Sequence, residues 1–389
     1  MKSLNGSRKL GEYLKTLRRG YGYSLRTVEY KAKQEGSLLD NSQLSRYEKG
    51  TCFPSFDKLK ILADIFNVSI QSFSDVVELE KFERYKDPSK GFHALMEMGQ
   101  EAFKSGYHGK AYALFESALE SLGNGNDGKL DELKSKARCS KAIALEKMGK
   151  LGAAEHELRA ILKTGNHLKD STLLSVLIEL SNIHMELGET FIASIEARTC
   201  HEMAVRQNNA RSTAFALHLL GSIASQNGEN EKAIAFYREA RNIHEKSGND
   251  QEVINLNINI GSRLIASGKF QEGVHTIKEA IRASEGKGFM RCMAFGLNKL
   301  AEACLIRGDH RRAKHYARRS DACSENSDER YIDIKFLNAF YLWKIGIKEK
   351  NEIDEKLAFG RLRCLRKSLE RRFPEVDEFD SFIERRRSS

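Results

Sequence analysis

Seven glycines, Gly106, Gly149, Gly188, Gly228, Gly268, Gly308 and Gly346, recur at intervals of 43, 39, 40, 40, 40 and 38 residues, and this ruler constrains the chain more than any other feature. Seven residues before them stand Gly99, Ala142, Ser181, Gly221, Gly261, Ala301 and Ala339, and five residues after the first six stand Ala111, Ala154, Ala193, Ala233, Gly273 and Ala313. Small residues at fixed offsets on both sides of a turn glycine are what two antiparallel helices need to cross closely, with the glycine supplying the positive φ between them. Phe115, Leu158, Tyr237 and Ile277 lie nine residues after their glycines, and Ala118, Cys200, Ala240 and Ala280 twelve after. Each period therefore reads as one helical hairpin with an apolar face, and stacked hairpins bury those faces against their neighbours.

Composition agrees with an all-α chain. Only three prolines occur, Pro54, Pro88 and Pro374, and valine is sparse beside Ala, Leu, Glu and Lys, so little interrupts helices and little favours sheets. A length of 389 residues predicts two or three units. With 40% apolar and 30% charged residues the chain is globular, and its apolar runs fall short of the ~20 residues that a membrane helix needs. The polar start, Met1 to Ser7, lacks the apolar stretch of a secretory signal, which predicts a cytoplasmic protein. The seven cysteines, 52, 139, 200, 292, 304, 323 and 364, are scattered and contain no Cys-x-x-Cys, so neither a disulfide framework nor a zinc ribbon is indicated.

No phosphate loop, nucleophile elbow or His-Glu-x-x-His motif is present, and His310 and His315 are five apart rather than at the i, i+4 spacing of a zinc pair. Neither catalysis, a cofactor nor a metal is expected. The formal charge is +10, of which residues 1–75 hold +5, with 13 Lys and Arg against 8 Asp and Glu. That is where a polyanion is expected to bind.

In this first segment Leu10, Tyr13, Leu14 and Leu17 recur at helical spacing, Ser24 precedes a second helix with Leu25 and Val28, and Leu44 and Tyr47 belong to a short third helix. Ser55 precedes a fourth, carrying Leu59, Leu62, Ala63 and Phe66. The stretches Leu10 to Arg18, Ser24 to Glu29, Asn41 to Gly50 and Pro54 to Ala63 resemble the Xre/Cro-type helix-turn-helix family, with an enlarged turn at Glu35 to Asp40. The resemblance implies that the third helix enters a major groove of double-stranded DNA with Asn41, Ser42, Gln43 and Arg46 on base edges. Arg18, Arg26, Lys49, Thr51 and Lys58 then lie where such folds meet phosphates. Residues 1–74 form this domain. Residues 75–90, with Val76, Val77, Leu79 and Phe82 before Pro88, read as a linker helix whose apolar stripe either ties the modules together or pairs with a second copy.

The glycine-ruled segment, residues 91–345, resembles the tetratricopeptide repeat, most clearly from Gly221 through Gly228 to Ala233, Tyr237 and Ala240, although the period exceeds the usual 34 and the closing proline is missing. Six repeats and the start of a seventh are expected to form a right-handed solenoid with a concave inner face. Residues 346–389, where Asn351 replaces the alanine and charge rises through 361–372 and 385–387, read as a degenerate seventh repeat and a charged cap.

The two modules together resemble the RRNPP superfamily of peptide-pheromone, or quorum-sensing, receptors. That resemblance implies a transcriptional regulator, a homodimer, whose solenoid binds a short signalling peptide and so alters operator binding. The repeat pattern places Asn182, His218, Ser222, Asn255, Ser262, Asn298, Glu302, Phe340 and Trp343 on the inner face. Asn-rich surfaces suit an extended peptide, since each amide both donates and accepts, and the run Asn255, Asn257, Asn259 is the densest. The alternative is a scaffold that docks a folded partner, such as a response regulator or a phage protein, with the first domain as a DNA tether. The basic stretch Arg307 to Arg319 reads as a solvated face, an acidic partner's surface or a dimer contact.

Overall fold

The structure is a computed structural model that describes residues 7–123, 128–163, 169–325, 331–367, 369 and 373–388. Among the described residues every regular element is helical: twenty α-helices and one 3-10 helix. The chain divides into two compact units, one of Met1–Gln100, His108–Glu146 and Lys150–Lys163, the other of Glu101–Tyr107, Lys147–Gly149 and Thr164–Ser389.

The first unit opens with α1 (Arg8–Gly20), α2 (Leu25–Gln34), α3 (Asn41–Glu48), α4 (Phe56–Phe66) and α5 (Ile70–Glu78), followed by the 3-10 helix Leu79–Tyr85. Side chains set the starts: Ser7, Ser24, Asp40 and Ser69 each accept a backbone N–H of the first turn, satisfying donors that a helix leaves open. Ser55 precedes α4 without making such a bond. Leu14, Val28, Leu44, Leu62 and Phe66 are fully buried and form the core of a compact bundle. In the enlarged turn between α2 and α3, Leu39 is buried, whereas Leu38 is 89% exposed.

The stretch read from sequence as a linker runs from the end of α5 through the 3-10 helix, inside the first unit. Val76, Leu79 and Phe82 are buried within the unit, so the apolar stripe that sequence reading left open to a second copy is consumed by this chain itself. Two hairpins follow in sequence, α6 (Phe92–Lys104) with α7 (His108–Ser121), then α8 (Gly128–Lys147) with α9 (Leu151–Lys163). Gly109, at the start of α7, lets the Phe82 ring lie where a Cβ would stand 2.0 Å from it, so any larger residue would separate the 3-10 helix from α7.

A buried ion network joins these pieces. Lys9 of α1 contacts Glu116 of α7 and lies 2.8 Å from Glu83. Lys86 lies 2.9 Å and Lys141 of α8 3.1 Å from the same Glu116, and Lys141 also pairs with Glu157 of α9 at 3.0 Å. Arg138 reaches Glu157 at 2.7 Å, and Lys150 reaches Asp75 of α5 at 2.8 Å. The charges hold one another in their ionised forms against burial. Burial opposes ionisation of Glu116 and Glu157, but the neighbouring cations outweigh it, so both carboxyls fall far below their usual range, Glu157 to about 2.

The second unit continues the hairpins: α10 (Asp170–Glu186) and α11 (Thr190–Arg206), α12 (Ala210–Gln226) and α13 (Asn230–Lys246), α14 (Asp250–Ala266) and α15 (Phe270–Lys287), α16 (Met290–Ile306) and α17 (His310–Glu325), α18 (Ile332–Glu349) and α19 (Glu352–Arg366), with α20 (Pro374–Ser388) last. From α10 to α19 each helix packs on the next, and first helices of successive hairpins also meet, α10 with α12, α14 with α16 and α16 with α18. The ruler holds at its first six marks, where Gly106, Gly149, Gly188, Gly228, Gly268 and Gly308 take φ between 71° and 88°. The small residues on both sides are buried throughout, from Ala142 and Ala301 to Ala193 and Ala313. At Gly221 a Cβ would fall 2.5 Å from the Tyr237 ring, so glycine sets how closely α12 and α13 cross.

The seventh mark departs from expectation. Gly346 lies inside α18, where a Cβ would meet the Glu355 backbone nitrogen at 2.8 Å, and the turn comes four residues later at Lys350, with φ 53°. Asn351, read from sequence as a broken alanine position, is the N-cap of α19 and accepts from the N–H groups of Ile353 and Asp354. Phe336, Phe340, Trp343 and Leu362 then close a core with Val376 and Phe379 of α20, while Arg366 grips Asp380 at 2.9 Å. The end of the chain is thus an aromatic cap with charged residues on its outside.

Candidate functional sites

On the first unit the surface of interest is α3. Asp40 caps it through the Gln43 N–H at 2.7 Å, Leu44 and Tyr47 anchor it, and Ser42 and Arg46 are left exposed. Glu48 holds Arg18 in a two-pronged pair at 2.6 and 2.8 Å, and Arg46 is left exposed. Arg18, expected at phosphates, also donates to the Tyr23 carbonyl at 2.9 Å. Both ends of its guanidinium are engaged, which makes it a brace between α1 and α3. Asn41 donates to Glu29 at 3.1 Å, so its amide is held to α2. Gln43 accepts from Lys58 at 2.8 Å, a contact that ties an expected base reader to an expected phosphate contact and links α3 to α4. Arg26, Lys49 and Thr51 are exposed, with the Thr51 hydroxyl donating to the Arg46 carbonyl at 3.0 Å.

On the second unit the first helices of four hairpins border a groove of about 480 Å³. One wall is amide-rich: His218 of α12 with Gln251, Asn255 and Asn259 of α14. The opposite wall is apolar and charged, with Arg291, Phe295 and Lys299 of α16, Asp333, Leu337 and Tyr341 of α18, and Phe373 and Glu375 at the start of the cap. Asn259 and the His218 ring are 3.3 Å apart, which fixes the amide wall across two hairpins. Burial, with the charge of His244 adding to it, pushes His218 down to about 4, so its imidazole is neutral at pH 7 and offers the groove a hydrogen-bonding group. Arg291 pairs with Asp333 at 2.7 Å and Lys299 with Glu302 at 2.7 Å.

Of the residues that sequence reading placed on the inner face, His218 and Asn255 line this groove. Glu302 stands behind it as the partner of Lys299. Asn182, Ser222 and Ser262 are half-buried outside its lining, with Ser222 beside the Tyr237 hydroxyl and Ser262 bonded to its own helix at Ile258. Asn298, Phe340 and Trp343 do not face a groove at all. Asn298 is fully buried and donates to Asn338, which in turn donates to Ser320 and Asp321. Phe340 and Trp343 are core residues of the aromatic cap. Asn257, in the densest amide run, turns away to accept from Arg241 of α13 at 3.2 Å. The repeat register identifies which helix faces inward, but a residue one position round the helix falls between layers. Arg291, Lys299, Tyr341, Phe373 and Glu375 were missed, the last two because only the return of the cap brings them to the groove.

A family model for the tetratricopeptide repeat matches residues 216–243, the α12–α13 hairpin with its Gly228 turn. The solenoid is of tetratricopeptide type. No curated protein matches the sequence. Among solved structures, a Rap protein complexed with Competence and Sporulation Factor is similar at 14% identity, covering 92% of this chain and 99% of that one, with a TM-score of 0.56. Aspartyl phosphate phosphatase F from Bacillus subtilis matches at 14% identity over 97% and 96%, TM-score 0.54. The Rap conjugation gene regulator of the plasmid pLS20 in complex with the Phr* peptide matches at 13% over 94% and 96%, TM-score 0.53. At these identities the likeness is one of fold. Among the described residues no helix is long and apolar enough to cross a membrane.

Proposed function

We propose that the protein is a DNA-binding transcriptional regulator whose tetratricopeptide-type solenoid receives a short peptide. The observation that carries this reading is the groove, whose amide wall sets Gln251, Asn255 and Asn259 on successive turns of α14 beside His218 of α12, donors and acceptors of the kind an extended backbone requires. One of the similar structures is in complex with the Phr* peptide and another is complexed with Competence and Sporulation Factor, and the first supports a peptide ligand here.

The first five helices serve as the helix-turn-helix head. Arg46 and Ser42 are its readers, exposed on a short helix braced from behind by Arg18–Glu48, and Arg26, Lys49 and Thr51 are its phosphate contacts. Gln43 reads a base only when it exchanges Lys58 for the ligand, and Lys58 is then released toward phosphate. The regulator acts as a homodimer, which doubles the recognition surface on a two-fold operator.

A scaffold that docks a folded partner is the second reading, favoured by one feature: α11 exposes Phe191, Ile192 and Ile195, with Phe191 at 77%.

The test is a fluorescence-anisotropy titration of the protein against its own upstream DNA at two salt concentrations, with a nonspecific duplex beside it. Specific binding that survives the higher salt, and that Arg46→Ala weakens roughly tenfold or more, is the expected result. Equal, salt-sensitive binding to both duplexes, unaffected by Arg46→Ala, would overturn the role given to α3.

A further inference from the structure

We infer that the C-terminal cap is part of the ligand groove and sets its charge preference: the groove takes a peptide that seats a cationic group, a lysine or arginine side chain or its own free amino terminus, against Glu375 beside an apolar residue. This rests on the peptide-receptor reading and makes its ligand class narrower.

Charge balance along the groove points to Glu375. Arg291 is matched by Asp333, and Lys299 by Glu302. Glu375 lines the same groove, is half-buried, and has no ion-pair partner among the described residues. Its position is structural. Phe373 and Pro374 lead into α20, whose Val376 and Phe379 are locked into the aromatic core, so Glu375 is held on a rigid helix start rather than on a loose tail.

A second observation is independent of that carboxylate. Tyr341 lines the groove from α18, is 4% exposed, and its hydroxyl oxygen has no hydrogen-bond partner. A buried hydroxyl without a partner costs stability unless something supplies one, and a ligand ammonium or guanidinium has donors to spare. The charges of Glu302 and Glu375 both act on this hydroxyl and, with burial, hold its proton on. Burial pushes the Glu375 carboxyl up and outweighs its own backbone N–H and the Lys299 charge, which pull it down, while Glu302 adds to the rise, so an arriving cation relieves an anion already held at a cost.

The apolar part of the class comes from the same wall. Phe295, Leu337 and Phe373 flank Glu375 and Tyr341, and they offer a surface for one apolar side chain next to the cation. Nothing comparable stands on the amide wall, where His218, Gln251, Asn255 and Asn259 are suited to backbone. The groove is thus directional, with a backbone-gripping wall and a charge-selecting wall.

The probes are short synthetic peptide pools in which each position in turn is fixed as lysine, arginine, norleucine or glutamate. Every pool is made with a free and with an acetylated amino terminus, and binding to the full-length protein and to Glu375→Gln is read by affinity selection. Enrichment of the lysine or arginine pools over norleucine, reduced roughly tenfold in Glu375→Gln while neutral pools bind as before, is the expected outcome for a side-chain cation. If acetylation alone abolishes binding, and Glu375→Gln weakens only the free-terminus pools, the cation is the amino terminus. Pools that bind without preferring a cation, or a preference that Glu375→Gln leaves intact, would overturn the inference while the peptide-receptor reading stands. No binding by any pool, with either terminus, would overturn both. An unchanged melting temperature in Glu375→Gln separates ligand effects from folding.

Discussion

Glu116 and Arg238 stand in the same repeat register, each ten residues after the turn glycine of its hairpin, yet they live in opposite surroundings. Glu116 is buried among Lys9, Lys86 and Lys141, whereas Arg238 is in solvent. The same contrast recurs three residues after the glycine, where Gly109 lies under the Phe82 ring and Glu231 is exposed. In the first unit the outer faces of the second helices carry other parts of the chain; in the fourth repeat the corresponding face carries water. Repeat packing and an aromatic cap build the second unit, while the first adds a buried ion network to hold the head. Buried charges stabilise little against apolar replacements, but losing one partner strands the rest, so such a network specifies one arrangement strongly.

The largest effect should come from stranding those cations. Glu116→Ala is expected to destabilise the first unit by about 3–5 kcal/mol in denaturant titration, whereas Arg238→Ala should stay within about 0.5 kcal/mol. Equal effects would erase the contrast between the units.

Acid should separate them next. The folded Glu157 carboxyl sits at about 2 against an ordinary value of 4.5, so it stabilises the fold above 4.5, and that contribution is lost as pH falls from 4.5 through about 2. Glu116 acts in the same direction. Stability should therefore fall over this window in wild type, and less steeply in a Glu157→Gln variant measured beside it. Hydrogen exchange followed by pH would show the α7 to α9 amides opening before those of α12 to α15; simultaneous opening would count against the network.

Within the second unit, Gly221→Ala should cost about 1–3 kcal/mol, since the new Cβ meets the Tyr237 ring and overpacks the crossing of α12 and α13. A thermal melt that leaves the variant unchanged would mean that the crossing is looser than the small-residue ladder requires.

The smallest pair of effects distinguishes core amides from groove amides. Asn298→Ala should cost about 1–3 kcal/mol, because Asn338 is left with a buried oxygen lacking its donor. Asn255→Ala should change stability by under about 0.5 kcal/mol and reduce peptide response. Reversed outcomes would reassign the two positions.

Periodicity made the fold legible. A turn glycine and small residues at fixed offsets depend only on local geometry, since positive φ and close helix crossing each exclude larger side chains wherever they occur. That is why six turns, their flanking small residues and the helix start at Ser24 could be read from residues alone. Of the residues expected on the inner face, His218 and Asn255 line the groove, at different offsets from their turn glycines, while Asn298, at the offset of His218, is buried.

Tertiary structure decided what period cannot carry. Whether Glu48 holds Arg18 or Arg46 depends on how α1 and α3 meet, and it holds Arg18 while Arg46 is exposed. Whether Asn298 faces ligand or Asn338 depends on a few tens of degrees of rotation about α16. Glu375 reaches the groove because a cap far along the chain returns to α18, and Lys9 meets Glu116 because α1 packs beside α7. The sequence by itself determined the all-helical hairpin repeat, because each hairpin's geometry is written within its own 40-odd residues. Contacts between residues more than a hundred apart, as Lys9 and Glu116 are, depend on how every intervening element packs, and no local pattern encodes them.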